Sequence, residues 1–209
     1  MQLIKDLEWR YATKKFDSSK KVSDADLETI KRAVQLSASS YGLQLYKVLI
    51  IEDMTLREKL KPASWGQSQI TEASHLFVFC SYTYVHDNHI NDYMKLHALS
   101  RKVSLDTVQG YGNFIKEKIA EKSETERQEW MVRQTYLALG NLLSACAALK
   151  IDTCPMEGFE ADKYNEILGL TEEGLHVSVI APIGYRAADD KAQLISKTRK
   201  PFQTLFETR

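Results

Sequence analysis

A chain of 209 residues, 44% hydrophobic and 27% charged, fits one globular domain spanning 1–209, with enough apolar material for a core. Its 28 lysines and arginines balance 28 aspartates and glutamates, so no overall charge draws it to nucleic acid or a membrane surface. The three cysteines, Cys80, Cys146 and Cys154, are odd in number and lack C-x-x-C spacing; this argues against a disulfide framework or zinc knuckle and points to a reducing, cytoplasmic compartment.

The first residues, Met1 to Asp6, carry charge at once, unlike a signal peptide. The longest uncharged run, Thr135 to Leu149, falls short of the roughly 20 residues that span a bilayer. No membrane partner is expected.

Residues 3–10 read as a short amphipathic helix. Ser23, followed by Asp24 and Asp26, reads as a helix cap, and Leu27, Ile30 and Val34 keep helical spacing up to Ser37. Ser37 to Gly42 is a loop by composition. Lys47–Ile51 and Leu76–Cys80 read as buried strands, with a helix over 54–61 stopped by Pro62 between them. Residues 86–122 are expected to be helical, broken near Gly110 and Gly112.

Ser123 and Glu126 form a capping box that opens a helix running toward Lys150. Its second half is apolar nearly all round, with small residues at Ala138, Gly140, Ser144 and Ala148. This suits a core or a subunit interface. Leu175–Ile183 reads as a strand interrupted by Pro182. The segment from Ile195 to Arg209 has little pattern of its own and is expected to pack against something else.

Three constellations carry chemical potential. Arg10-Tyr11-Ala12-Thr13-Lys14-Lys15-Phe16 is a basic turn after the first helix. Cys154-Pro155-Met156-Glu157-Gly158-Phe159 follows the long helix and combines a missing amide with a glycine that permits close approach. Ser196-Lys197-Thr198-Arg199-Lys200-Pro201 is a second basic turn. Two compact basic clusters in a neutral chain suit a small polyanion such as a phosphate monoester. Each cluster alone also reads as ordinary surface charge.

Taken in order, these segments resemble the FMN-dependent nitroreductases of the NAD(P)H oxidoreductase class. The resemblance covers nearly the whole chain. It rests on R-x-x-T-K-x-F-D at 10–17, A-S-S at 38–40, E-A-S-H at 72–75, Glu129-Trp130-Met131 with Gln134, P-x-E-G-F at 155–159 and S-K-T-R at 196–199. It implies an α+β fold, a central, mostly antiparallel sheet flanked by helices. It also implies a homodimer with the long helix at its interface and a C-terminal segment extending to the partner subunit.

It further implies that Arg10, Lys197 and Arg199 hold the FMN phosphate and ribityl chain, with Tyr11 and Ala12 beside them. Lys14 would sit at the pyrimidine end of the ring, where a cation favours the charge that reduction creates. Pro155, Met156, Glu157 and Gly158 would lie along the ring, a backbone amide of Glu157 or Gly158 donating to N5. Ala38, Ser39, Ser40 and Gly42 would come from the opposite subunit, and Tyr111 and Phe114 would face substrate or fill a core.

The chain departs from the family in three places. Tyr11-Ala12 stands where relatives often have His-Ser, and Gln44-Leu45-Tyr46 where many have Q-P-W. Gly66-Gln67-Ser68-Gln69 is neutral where some carry asparagine and a second lysine, so Gln67 or Gln69 is expected to meet the pyrimidine edge.

The implied activity is ping-pong transfer of electrons from NAD(P)H to nitroaromatics, quinones or similar small acceptors. A flavin, enone or pteridine reductase of the same fold and a non-catalytic FMN-binding protein are the alternatives. His86, His89, Asp92 and His97 match no metal motif and are expected to face solvent, so no metal site is assigned. Gly110-Tyr111-Gly112 has Ile115 at the third glycine position of a dinucleotide fingerprint and no strand before it.

Overall fold

The computed structural model describes residues 1–209. Helix α1 (Gln2–Trp9) buries only Asp6, which pairs with Lys150, and exposes Leu3, Ile4 and Leu7. Helix α2 (Asp24–Gln35) starts where Ser23 Oγ accepts from the Asp26 amide at 3.1 Å, with two aspartates at the positive end of its dipole. Strand β1 (Tyr46–Ile51) leads to α3 (Met54–Leu60), capped by Asp53, and to the single turn α4 (Gln69–Glu72). Strand β2 (His75–Tyr82) follows.

Helices α5 (Asp87–Arg101) and α6 (Leu105–Ala120) then form a hairpin. The long α7 (Glu124–Ala148) opens with both halves of the Ser123–Glu126 capping box. Strand β3 (Asp152–Thr153), α8 (Ala161–Leu168), β4 (Leu175–Gly184) and the short α9 (Phe202–Leu205) complete the chain.

The sheet has the order β1-β2-β4-β3, and every pairing is antiparallel. Both faces of β2 are covered, which is why it reads as an unbroken apolar run. Leu76, Val78 and Cys80 pack with Leu60, Ile70 and Tyr164 under α3, α4 and α8. Phe77 and Phe79 pack with Ile30, Val34, Leu139 and Leu142 from α2 and α7. Each such side chain contributes about 1.5–3 kcal/mol by leaving water. A third cluster, including Met94, Ile115 and Met131, lies inside the α5–α6 hairpin and against α7. No helix is long and apolar enough to cross a membrane.

The structure corrects two expectations. The break between α5 and α6 falls at Lys102, in the left-handed region with φ 56°, and not at Gly110 or Gly112. Gly112 instead lets the helices approach, since a Cβ there would lie 2.8 Å from Met94 Cγ. Nor does Pro182 interrupt β4. Its carbonyl accepts from Cys154 N at 3.2 Å, so its missing N–H falls on the side where the two-residue β3 has just ended, away from the β2 ladder. The outward face of the long helix leaves Tyr136, Leu137 and Gly140 exposed.

Candidate functional site

After α1 the chain turns extended at Arg10 and runs beside β3. Ala12 bridges Thr153 in parallel, and Thr13 N donates to Thr153 O at 3.3 Å. The buried carboxylate of Asp190 pins this segment. It accepts from the Tyr11 hydroxyl at 2.8 Å, Lys14 N at 3.0 Å, Lys15 N at 3.3 Å and Ala192 N at 3.0 Å. Burial raises the Asp190 carboxyl, but these donors outweigh it and hold it below the usual carboxylate range. Burial, then the bond to Asp190, pushes the Tyr11 phenol well above its ordinary value. Tyr11 therefore serves as a strut, and Ala12 as a strand-like contact. Asp152 does similar work beneath, accepting two forked bonds from Arg186, whose guanidinium lies 4.3 Å over Trp9 and 4.5 Å over Tyr11.

Arg10, Lys197 and Arg199 converge at the mouth of this segment. None belongs to an ion pair; the pairs nearby are Lys15–Asp189, Lys150–Asp6 and Arg186–Asp152. Burial and then the Arg199 charge push Arg10 below the usual guanidinium value; burial and then Arg10 and Arg199 do the same to Lys197. Arg10 Nε is buried without any acceptor. Such a group costs about 1–3 kcal/mol, an amount that a bound anion removes.

The 155–158 turn lies beside the same segment. Met156 exchanges both backbone bonds with Ile180, at 2.8 and 3.2 Å, which fixes the turn to the sheet. The next two amides, of Glu157 and Gly158, donate to nothing within the chain; Phe159 N and Glu160 N are already bonded, to Glu157 O and Ala63 O. The Glu157 carboxylate is held by the Tyr136 hydroxyl. Gln67 Nε2 donates to Gly158 O at 2.8 Å and to Ser64 O at 3.1 Å. Gln69 is buried. Burial pushes the Cys154 thiol up, against the pull of Lys14 and then Arg10, so Cys154 is no activated nucleophile.

A second group of expected residues gathers elsewhere. Ser40 N donates to Gln134 Oε1 at 2.8 Å, and Ser39 Oγ accepts from Gln44 N at 3.0 Å. Gly42, at φ +78°, lies so close to Tyr93 that a Cβ would meet its hydroxyl at 2.6 Å. Tyr111 stacks on Phe114 at 6.3 Å, Phe114 meets Tyr41 edge-on at 6.5 Å, and Tyr41 meets Trp130. Ala38 and Gly42 face outward. Within one chain no ring contact or hydrogen bond joins Tyr111, Phe114 or the 38–42 loop to Arg10, Lys14 or the 155–158 turn. The expected site residues therefore divide into two groups, both moored to α7, one through Gln134 and one through Tyr136.

Sequence reasoning missed Asp190, Tyr136 and Trp65. Asp190 acts on residues some 175 positions away, and its Asp189-Asp190 setting looks like surface charge. Trp65, an exposed tryptophan followed by Gly66 in a polar loop, was a signal open to reading. The histidines are packing partners: His89 lies on Tyr82 at 4.5 Å, His86 on Tyr84 at 4.8 Å and His97 on Tyr93 at 5.6 Å. A cavity of about 530 Å³ lies between the end of β2 and the first half of α7, lined by Tyr82, Glu129, Arg133 and His176. None of the expected site residues lines it, and Arg133 is already paired with Glu129. The unpaired cations and free amides mark the better site.

Those donors fit a phosphate monoester carrying a flat polar ring, since three cations without carboxylate partners gather around Arg10 and two backbone N–H groups in the turn after Cys154 have no acceptor. The sequence profile described as "Nitroreductase family" matches residues 7–185. YfkO of Bacillus subtilis, which carries the name of an NAD(P)H nitroreductase, is 36% identical over 203 residues, 91% of each chain. A structure from Exiguobacterium sibiricum, named as a nitroreductase in complex with FMN, has a TM-score of 0.84 at 18% identity, covering 100% of this chain and 98% of that one. CLA-ER, described as an enone reductase of gut-bacterial fatty acid saturation, has a TM-score of 0.80 at 17% identity, covering 99% and 97%.

Proposed function

The chain belongs to the nitroreductase family, and on that premise we propose that it is an FMN-dependent oxidoreductase drawing electrons from NAD(P)H and passing them, in ping-pong order, to nitroaromatics, quinones or similar small acceptors. The observation that carries this reading is the trio Arg10, Lys197 and Arg199, in no ion pair and with Arg10 Nε buried and lacking an acceptor, in a chain whose 155–158 turn also offers the free amides of Glu157 and Gly158.

FMN, when bound, supplies a ring that takes hydride from a nicotinamide and gives up electrons to a second substrate. The chain's own work is binding and electrostatics. Arg10, Lys197 and Arg199 hold the phosphate. Lys14 favours negative charge at the pyrimidine end. The amide of Glu157 or Gly158 would donate at N5, and Gln67 steadies the turn through the Gly158 carbonyl. Asp190 fixes Tyr11, Lys14 and Lys15 so that these groups are in place beforehand.

The division of the expected residues into two groups within one chain supports a homodimer, in which the 38–42 loop and the Tyr111–Phe114 cluster complete the partner's site. Exposed Tyr136 and Leu137 on α7, Leu3 and Ile4 on α1, and Phe202, Leu205 and Phe206 near the C-terminus provide apolar surface for that contact.

An anaerobic visible spectrum of the FMN-loaded protein tests the reading. Flavin absorbance should bleach with NADH or NADPH and return with a nitroaromatic or quinone. Bound flavin that neither donor bleaches would leave a binding protein, and a protein that takes up no FMN would remove the proposal. Recovery with an α,β-unsaturated ketone alone would favour the enone reductase alternative.

A further inference from the structure

Trp65 is the most unusual residue near the 155–158 turn. The residue is 68% exposed, although indole is a large and mostly apolar side chain. Its backbone occupies the left-handed region, φ 55° and ψ 33°, immediately before Gly66 at φ 73°. A glycine or asparagine would take that conformation with less strain, and nothing in the local turn calls for an aromatic ring. The turn itself is secured without the ring, by Trp65 N to Pro62 O and Gly66 N to Lys61 O, both at 3.0 Å.

What the strained position achieves is the placement of the indole. A Cβ on Gly158 would lie 2.9 Å from Trp65 Cζ3 and 3.4 Å from Cε3, so the six-membered edge of the ring covers the Gly158 Cα. Gln67, two residues on, holds the Gly158 carbonyl at 2.8 Å. One short loop thus grips the Gly158 peptide with an amide and flanks it with an aromatic face. The free N–H groups of Glu157 and Gly158 lie in the same turn.

We propose that Trp65 is a specificity-determining residue: its exposed indole, held beside Gly158, forms one wall of the acceptor site and selects flat, electron-poor aromatic acceptors over non-planar ones. This rests on the FMN reading, in which the Gly158 turn borders the reacting edge of the ring. An electron-rich indole attracts an electron-deficient aromatic ring by stacking and quadrupole complementarity, which a saturated ring of equal charge and size lacks. Within this chain Tyr111 and Phe114 are in the other group of residues, whereas the Trp65 ring lies against Gly158 and the Tyr136 hydroxyl is engaged by Glu157.

The test uses the oxidised, FMN-loaded protein and two probes of equal charge, 4-nitrobenzoate and cyclohexanecarboxylate, with binding read from the perturbed flavin absorbance. Without a donor neither is turned over. Trp65→Leu should weaken 4-nitrobenzoate about three- to tenfold and leave cyclohexanecarboxylate within about twofold. Trp65→Phe should restore most of the loss. Because the side chain is exposed, both variants should fold and retain FMN. Equal weakening of both probes, or no change in either, overturns the assignment while leaving the FMN reading standing. A wild-type protein that takes up no FMN overturns both.

Discussion

Tyr136 donates its hydroxyl to Oε1 of Glu157, tying the middle of α7 to the turn that carries the two free amides. Burial, then the carboxylate, pushes the phenol up to about 12, so it remains a donor throughout the physiological range. Two residues earlier, Gln134 accepts the amide of Ser40. Tyr136→Phe should release the turn and raise the Kd for FMN about three- to tenfold, a range set by one partly exposed bond to a charged acceptor. Fluorescence titration with FMN measures it, and an unchanged Kd would show that Met156 and Gln67 alone hold the turn.

The phosphate assignment separates FMN from riboflavin. Lys197→Ala and Arg199→Ala remove exposed cations and leave the core intact. Each should weaken FMN roughly tenfold at low salt, with a loss that shrinks as salt is added. Riboflavin, which lacks the phosphate, should bind the variants and the wild type alike. Parallel losses for both ligands would move these side chains away from the phosphate.

Asp190 provides a pH dependence with a defined sign. Its folded value is depressed, so the stability it contributes is present above its unfolded value of about 3.9 and is lost as pH falls through the folded value. Asp190→Asn should lower Tm by several degrees at pH 7, and the gap should close below about pH 4. A gap that persists undiminished to pH 3 would mean the carboxylate's charge is irrelevant to the bonds it accepts.

Two glycines with open space test the α7 interface. Gly110 and Gly140 both lie in helices with no atom within 4 Å of an added Cβ. Alanine at either should stabilise the isolated chain by up to about 1 kcal/mol through helix propensity. Gly110→Ala should therefore raise Tm by about 2–4 °C. Gly140→Ala should instead weaken self-association, because Gly140 shares its exposed face with Tyr136 and Leu137. Sedimentation across a dilution series reads this; equal dimer strength in both variants would place the interface elsewhere.

Much of the fold was legible because its signals are local. Ser23 and Ser123 announce helix starts through residues three positions away, and β2 declares its double burial by the unbroken apolar run Leu76–Cys80. The order of the basic turns and the P-x-E-G-F turn was legible as a pattern. The supports were not. Asp190 meets Tyr11 and Lys14 only after the sheet has formed, and Tyr136 meets Glu157 across a helix-to-turn packing that no periodicity encodes. The expected break at Gly110 and Gly112 failed for a related reason: the contact between Gly112 and Met94 turns a helix breaker into a packing residue.

Lys197 and Arg199 lie on a stretch, from Lys191 to Arg209, in which no residue is buried. Two of the three cations that gather at Arg10 thus belong to a segment with little hold on the rest of its own chain. If those cations clasp a ligand, loading the ligand and docking the last twenty or so residues become a single thermodynamic event, with each protecting the other. Carboxypeptidase would then act as a reporter of occupancy, trimming the empty protein quickly and the loaded one slowly. A protein once trimmed past Lys197 would lose its cofactor on dilution, even though every strand and helix of the core remained in place.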